Sequence, residues 1–352
     1  MINQIIGILF SFIITLMGLP LLIRFAESNK LFVPNDYRRT HTSKVSALGG
    51  IVIFVSASLS FLLFSDLINF PDYRFIISSG ILMFILGFYD DLNEVKPEIK
   101  LLGQTVAISL LVIFADVRIE FLQHSFNLHI GIWADTILTI IIMLAIINAY
   151  NFIDGIDMLA AMLGFIIMGI LGIWFFAVDQ YDYSLALLTL SASLLAFMIY
   201  NHSPAKIFMG DTGTMTIGLI MALSLIKFDM INSIILSPYS FVNAPGIAFS
   251  FVSLLLFDLV RVSVSRIIKG KSPFHADNNH IHHLFVRMGI NHNTISMIIG
   301  FAVIAQIVLS IILDSYINSN FIIILINIAY LLLFYSIVFM ALPKNKYNKM
   351  EV

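Results

Sequence analysis

Residues 132–157 read IWADTILTIIIMLAIINAYNFIDGID. The first part, 132–150, is an apolar run long enough to cross about 30 Å of hydrocarbon as a helix. Its one acid, Asp135, lies near its start. The composition then reverses, and Asn151, Asp154, Gly155 and Asp157 follow within seven residues. A carboxylate at a membrane-helix end is costly unless it is paired, hydrated or metal-bound. This stretch therefore predicts both a membrane span and a polar centre at its end.

The rest of the chain repeats the pattern. Of 352 residues, 59% are apolar and only 11% charged; an ordinary soluble protein has about 25% charged residues. Eleven apolar stretches are candidate spans: 2–24, 47–64, 75–89, 101–117, 132–150, 158–178, 184–200, 214–227, 247–267, 294–313 and 321–342. The third and eighth are short, and 231–245 reads as a re-entrant or interfacial piece. The expected fold is an all-α polytopic integral membrane protein with 10–11 transmembrane helices. The first span lacks a basic leader and a small-residue cleavage site, so it reads as retained. Net charge of −2 and the lack of a basic face exclude a nucleic-acid binder. The absence of cysteine excludes disulfides and thiolate chemistry. There is no internal repeat or linker, so 1–352 reads as one catalytic domain.

Eleven spans place the odd-numbered loops and the C-terminus on one side. Of 19 Lys and Arg, only Arg74, Arg118 and Lys227 fall at even-loop ends; the other 16 fall at the odd side. The positive-inside rule then makes the odd loops and the C-terminus cytoplasmic and the N-terminus external. Those loops, 25–46, 90–100, 151–157, 201–211 and 269–293, also hold the unusual residues.

Asp90, Asp91, Asp154, Asp157 and Asp211 are hard oxygen ligands. With Asn151 they suit Mg²⁺, or Mn²⁺ in its place. Mg²⁺ leaves most of its coordination positions to water and phosphate, which points to a phosphate-bearing substrate. His280, His282 and His283 offer phosphate contacts or proton donors; a zinc reading lacks further soft ligands. If that segment is helical, His280 and His283 share a face and His282 points elsewhere. His124, His129 and His292 read as surface residues. Lys100 starts a span beside the aspartate pair, where a base holds a phosphate at head-group level. Arg38, His41, Arg266, Lys269 and Lys271 add positive charge, much of it explained by topology alone. Asp258 lies inside a span, with Arg261 and Arg266 as natural partners; a structural pair and a functional acid weigh equally there. The lack of a Walker-type loop and of a large soluble domain excludes an ATP-driven pump.

Four motifs stand in order: Asp90-Asp91 with Lys100-Leu101-Leu102-Gly103-Gln104; Asn148-x-x-Asn151-x-x-Asp154-Gly155-x-Asp157; Phe208-Met209-Gly210-Asp211-Thr212-Gly213; and His280-Ile281-His282-His283. The series resembles the polyprenyl-phosphate N-acetylhexosamine-1-phosphate transferases, glycosyltransferase family 4, and within it the WecA/TagO branch. The resemblance runs from Arg38 to His283. It implies Mg²⁺-dependent transfer of GlcNAc-1-phosphate from UDP-GlcNAc to undecaprenyl phosphate, with UMP released, at the cytoplasmic face of a bacterial inner membrane. Such a product starts O-antigen, common-antigen or teichoic-acid-type glycans.

The resemblance also implies roles. Asp211 and Asn151 would hold Mg²⁺, and Asp90 and Asp91 would lie near the acceptor phosphate and metal. Lys100 would bind the acceptor phosphate, Phe208 would stack on uracil and Asn201 would bond to it. Asp154 and Asp157 would serve the nucleotide site, and the His280–His283 loop would meet the diphosphate and sugar. Arg38, His41 and Arg266 would be substrate contacts, and relatives are often homodimers. The chain departs from the family pattern at Met158, where a Gly is usual, at Thr214, usually Ser, and at Ser46, usually Pro. These departures leave the sugar open, with QuiNAc, FucNAc or GalNAc in place of GlcNAc. An ion-coupled transporter and a membrane scaffold are the readings from other classes. The first would place its acids near mid-membrane with repeat symmetry, and the second leaves the aspartates unexplained.

Overall fold

The computed structural model describes residues 2–31, 45–66, 73–119, 131–235, 237–272 and 279–342. Among them the regular structure is helical: α1 (Ile2–Ser28), α2 (Gly49–Phe64), α3 (Tyr73–Leu92), α4 (Pro97–Ser109), α5 (Ile132–Ile153), α6 (Leu159–Ala177), α7 (Tyr181–Asn201), α8 (Gly210–Ile234), α9 (Ala244–Ile268), the short α10 (Ile281–Arg287), α11 (His292–Asp314) and α12 (Asn320–Ala341). The last turn of α4 widens into a π-helical turn, Leu110–Phe114, and with it spans Pro97–Phe114. Ten of these units are long and apolar enough to cross a membrane, and α2, at 16 residues, is a shorter apolar helix. The helices fall where the apolar stretches predict them. The chain is a polytopic helical membrane protein.

The differences lie at the ends, and each has a local cause. The eighth stretch reads as 214–227 but folds as Gly210–Ile234, because its polar first turn is capped from outside by Asp91. The third continues through Asp90 and Asp91, whose side chains find partners on neighbouring elements. Span four starts at Pro97, where a missing N–H costs nothing, with Glu98 in the first turn. Of the 231–245 stretch, residues 231–234 are the last turn of α8, 237–243 a pinned loop and 244–245 the start of α9: Asn232 accepts from the Phe241 N–H and donates to its carbonyl, both at 2.8 Å. Asp314 accepts from the N–H groups of Val242 and Asn243 at 3.1 and 2.7 Å.

The architecture is built around α8. Its most apolar 18-residue window is 83% buried, against 22% for α1 and 28% for α12. α3, α5, α2, α9 and α6 pack on it. Lipid tails are as apolar as the side chains, so burial alone does not hold such a bundle together; polar contacts between helices contribute. Thr15 of α1 bonds Ser193 of α7 at 2.6 Å and also meets Ser56 of α2. Asn327 of α12 donates to Ser310 of α11 at 2.9 Å. The helix order brings the C-terminal ends of α3, α5, α7 and α9 and the N-terminal ends of α4, α6, α8 and α11 to one end of the bundle.

Candidate active site

At that end, Asp90 follows the apolar part of α3, and Lys100 lies in the first turn of α4. The intervening loop is short because Asp90 accepts from the Val95 N–H at 2.9 Å, turning the chain back. The ammonium of Lys100 therefore meets Asp90 Oδ2 at 2.8 Å. The same ammonium bonds Asp211 Oδ2 at the start of α8. Asp211 Oδ1 accepts from the amide of Asn151 at 3.0 Å, which also donates to Thr214 Oγ1 at 2.6 Å. The side chains of Asp90, Lys100 and Asp211 are 12%, 21% and 24% exposed, so a substrate can reach all three. Below this centre Asn148 donates to Gln104 at 2.9 Å and holds α5 to α4.

Asp91 has a different place from its neighbour. Its carboxylate accepts from the N–H of Asp211 at 2.7 Å, from the N–H of Thr212 at 3.0 Å and from the Thr212 hydroxyl. The first residues of a helix leave N–H groups unsatisfied, and the residue before α8 is Met209, which has no acceptor to offer. Asp91 supplies the cap from another helix and adds a negative charge at the positive end of the α8 dipole. Gly210 permits this approach: its φ is +72°, and a Cβ there would lie 1.9 Å from the Ala47 carbonyl oxygen. The strand-like segment at Ser46 pairs with Ile207 and anchors the Phe208 loop, with the Phe208 N–H donating to Ser46 O at 2.8 Å. Phe208 itself is half-buried.

The histidine segment closes over the 151–157 turn. His280 has extended backbone and is the N-cap of α10, so it shares no helical face with His283. It folds back on α9, where its Nδ1 lies 2.8 Å from Asp258 Oδ2, and its ring centroid is 5.7 Å from that of Phe152. Arg266 stands 3.5 Å from His280 Nε2 and is not bonded to Asp258, whose arginine partner is Arg261 at 2.7 Å. His282 is fully buried and lies on Gly155: a Cβ there would be 2.1 Å from His282 Nε2. Its ring runs parallel to His280 at 5.9 Å and lies 4.2 Å from His283. Both its nitrogens are buried without a hydrogen-bond partner. Burial, with His283 and His280 beside it, holds its pKa well below the ordinary value of 6.5.

One expectation changes here, and Asp157, Asp154 and Asn201 find their places. His292 is not a surface residue: it is buried, and its Nδ1 lies 3.3 Å from Asp157 Oδ2. Asp157 is thus buried behind the turn, with Ser296 donating to its carbonyl at 3.0 Å. Asp154 caps the end of α5 at the edge of the centre. Asn201 is buried, and both ends of its amide are engaged by backbone. It accepts from the Met158 N–H at 2.7 Å and donates to Ile207 O at 2.8 Å. Met158 sits at φ +69°, the left-handed region that favours glycine. The residue that departs from the family pattern is thus held where a glycine would be unstrained, and Asn201 fixes it. Arg38, His41, His124 and His129 lie outside the described residues.

Among the described residues no three of His, Asp and Glu are grouped to hold a metal ion. The donor chemistry nevertheless fits a hard divalent cation. Two carboxylates, Asp90 and Asp211, converge on one positive charge, the Lys100 ammonium, with the Asn151 amide on the free oxygen of Asp211. Mg²⁺ asks the protein for one or two carboxylates and takes the rest from water and phosphate.

Fold and site define a multi-span membrane protein with a carboxylate–lysine centre at one end of its bundle and a histidine segment packed on the 151–157 turn. Residues 73–229 match the profile of glycosyl transferase family 4. The undecaprenyl-phosphate alpha-N-acetylglucosaminyl 1-phosphate transferase of Yersinia pestis is 26% identical over 277 residues, 76% of this chain and 72% of its own length. The probable undecaprenyl-phosphate N-acetylglucosaminyl 1-phosphate transferase of Bacillus subtilis (strain 168) is 27% identical over 307 residues, 85% of this chain and 82% of its own. Over residues 73–229 the chain is thus similar to glycosyl transferase family 4, the family that the four motifs resemble.

Proposed function

We propose that the protein transfers N-acetylglucosamine 1-phosphate from UDP-GlcNAc to undecaprenyl phosphate at the cytoplasmic face of a bacterial inner membrane, with Mg²⁺ bound. The observation that carries the reading is the convergence of Asp90, Lys100, Asp211 and Asn151 at one end of the bundle. The relatives supply the substrates, being named for this transfer. The distribution of Lys and Arg supplies the side.

In the reaction an oxygen of the lipid phosphate attacks the β-phosphorus of the nucleotide sugar. The bond from that phosphorus to the bridging oxygen breaks, UMP leaves with the electron pair, and the sugar stays on the transferred phosphorus. A phosphate monoester is already ionised near neutral pH, so the nucleophile needs no general base. The work is positioning and charge neutralisation. Lys100 changes partner in this account: its ammonium leaves the carboxylates to hold the acceptor phosphate at the membrane surface. Asp211 and Asn151 would hold the metal, with Asp90 beside them, and a bound Mg²⁺ would neutralise charge on the diphosphate. Asp91 acts indirectly, by fixing the first turn of α8 and with it Asp211. His280, His283 and Arg266 add donors for the diphosphate, and Phe208 offers a ring for the uracil.

The test is an assay of the purified chain in micelles with undecaprenyl phosphate, Mg²⁺ and, separately, UDP-GlcNAc, UDP-GalNAc, UDP-QuiNAc and UDP-MurNAc-pentapeptide. UMP release with UDP-GlcNAc, abolished by EDTA and by Asp211→Asn in folded protein, is the expected result. Turnover with another sugar alone would correct the donor, and undiminished turnover of Asp211→Asn would overturn the metal assignment.

A further inference from the structure

Asp258 is a buried acid in the middle of α9 that the transfer itself does not use. Four donors converge on it. Its Oδ1 accepts from Arg261 at 2.7 Å, from the Tyr335 hydroxyl at 2.8 Å and from the Ile281 N–H at 3.1 Å. Its Oδ2 faces His280 Nδ1 at 2.8 Å. Arg261 also donates to the Asn279 carbonyl and stacks 5.2 Å over the Tyr335 ring. Three elements distant in sequence, α9, the entry to α10 and α12, are joined at one carboxylate. None of these residues lies in the segment 73–229 that carries the family match.

The network dictates a tautomer. An ionised carboxylate surrounded by three other donors accepts only, so the proton in the His280 contact belongs to Nδ1. The other ring nitrogen, Nε2, is left on the side of Arg266, 3.5 Å away. Arginine has donors and no acceptor, which matches an Nε2 that carries a lone pair before substrate arrives. The ring is further fixed by Phe152 on one neighbour and His282 on another. The Ile281 N–H contact holds the backbone of the same loop to the same carboxylate, so ring and main chain are positioned together.

We propose that Asp258 and Tyr335 are positioning residues that hold His280 with its proton on Nδ1 and turn Nε2, beside Arg266, toward the anionic diphosphate of the donor, where Nε2 takes up a proton from solvent and donates. The aim of Nε2 rests on the transferase reading above; the tautomer does not. Tyr335 reaches the site from the last described helix, which makes α12 part of the catalytic architecture and not only of the lipid-facing wall.

Tyr335→Phe is the mild probe, since it removes one hydroxyl from a buried but still satisfied carboxylate. It is expected to lower kcat about tenfold, in the range of one hydrogen bond to a charged group, with KM for undecaprenyl phosphate unchanged. In a His280→Gln background the same change is expected to cost less than about twofold, because a residue that acts through His280 has nothing left to position. Equal losses in both backgrounds, or no loss in the parent, would overturn the proposal and leave Tyr335 a packing residue. The tautomer is read separately, by nitrogen NMR of the full chain labelled in histidine. The His280 signals are assigned by their absence in His280→Gln. A proton on Nδ1 in the parent, lost or redistributed in Asp258→Ala, is the expected result. A proton on Nε2 in the parent would overturn it, even if the transferase assay is silent for want of the right donor.

Discussion

Gly155→Ala introduces a single methyl group, and its consequence follows from one distance. The new Cβ would lie 2.1 Å from His282 Nε2, 2.9 Å from Cε1 and 3.1 Å from Cδ2. Ordinary contact begins at 3.4 Å, so the ring must retreat by about 1.3 Å or the turn must move by as much. The ring has nowhere to go: His282 is fully buried, with His280 and His283 on its flanks. Overpacking of this kind costs about 1–3 kcal/mol of stability. The larger effect is on turnover. A displacement of about 1 Å of positioned groups costs on the order of 100-fold, and this turn carries Asn151 at one end and Asp157 at the other. The assay is UMP release at saturating nucleotide sugar and lipid, with thermal unfolding in the same micelles. Gly155→Ala combined with His282→Ala should regain stability by removing the clash. Turnover of Gly155→Ala within threefold of the parent would refute the close packing of the histidine loop on this turn.

Asp90→Ala and Asp91→Ala should separate by readout. The second removes the cap of α8 and should lower stability by about 2 kcal/mol, a charged acceptor with several donors, whereas the first should lower turnover with a smaller change in unfolding. Met158→Gly should relieve the left-handed backbone, which costs a side-chain-bearing residue roughly 1–2 kcal/mol; the greater freedom of glycine in the unfolded chain offsets about half of that. The thermal midpoint should stay level or rise, while Met158→Val should lower it. The folded protein refuses a proton at His282 that the unfolded chain accepts below about pH 6.5. Stability should therefore be greatest above that pH and fall below it, by up to about 1.4 kcal/mol per pH unit for this one group. Unfolding midpoints at pH 7.5 and 5.5, compared with His282→Gln, measure it, and an equal drop in both proteins would contradict the assignment.

What the sequence made legible has a physical basis. Membrane spans are long apolar runs, and the bilayer leaves the chain few other ways to satisfy its backbone, so all eleven stretches became helices. The acids Asp90 and Asp211 were legible because a carboxylate beside hydrocarbon demands a reason. Their division of labour with Asp91 was not. Adjacent residues on a helix point about 100° apart, and only the packed structure shows that one faces Lys100 and the other faces the N–H groups of α8. His292 looked solitary because its partner, Asp157, stands 135 residues away. Tyr335 gave no signal within an apolar span until α12 was seen to meet α9 at Asp258. Asn201 had a polar role by resemblance, yet its amide is engaged by the backbone on both sides, and no local pattern announces that.

The central claim is that this centre moves a sugar together with one phosphate. Mass analysis of the lipid formed from undecaprenyl phosphate and UDP-GlcNAc, with nucleotide analysis of the same reaction, tests it most directly. The account predicts a lipid carrying two phosphates and one N-acetylhexosamine, formed in equal amount to UMP and absent when Asp211 is Asn. A lipid carrying one phosphate with UDP as the released nucleotide would show that the sugar alone is transferred, and would contradict the account.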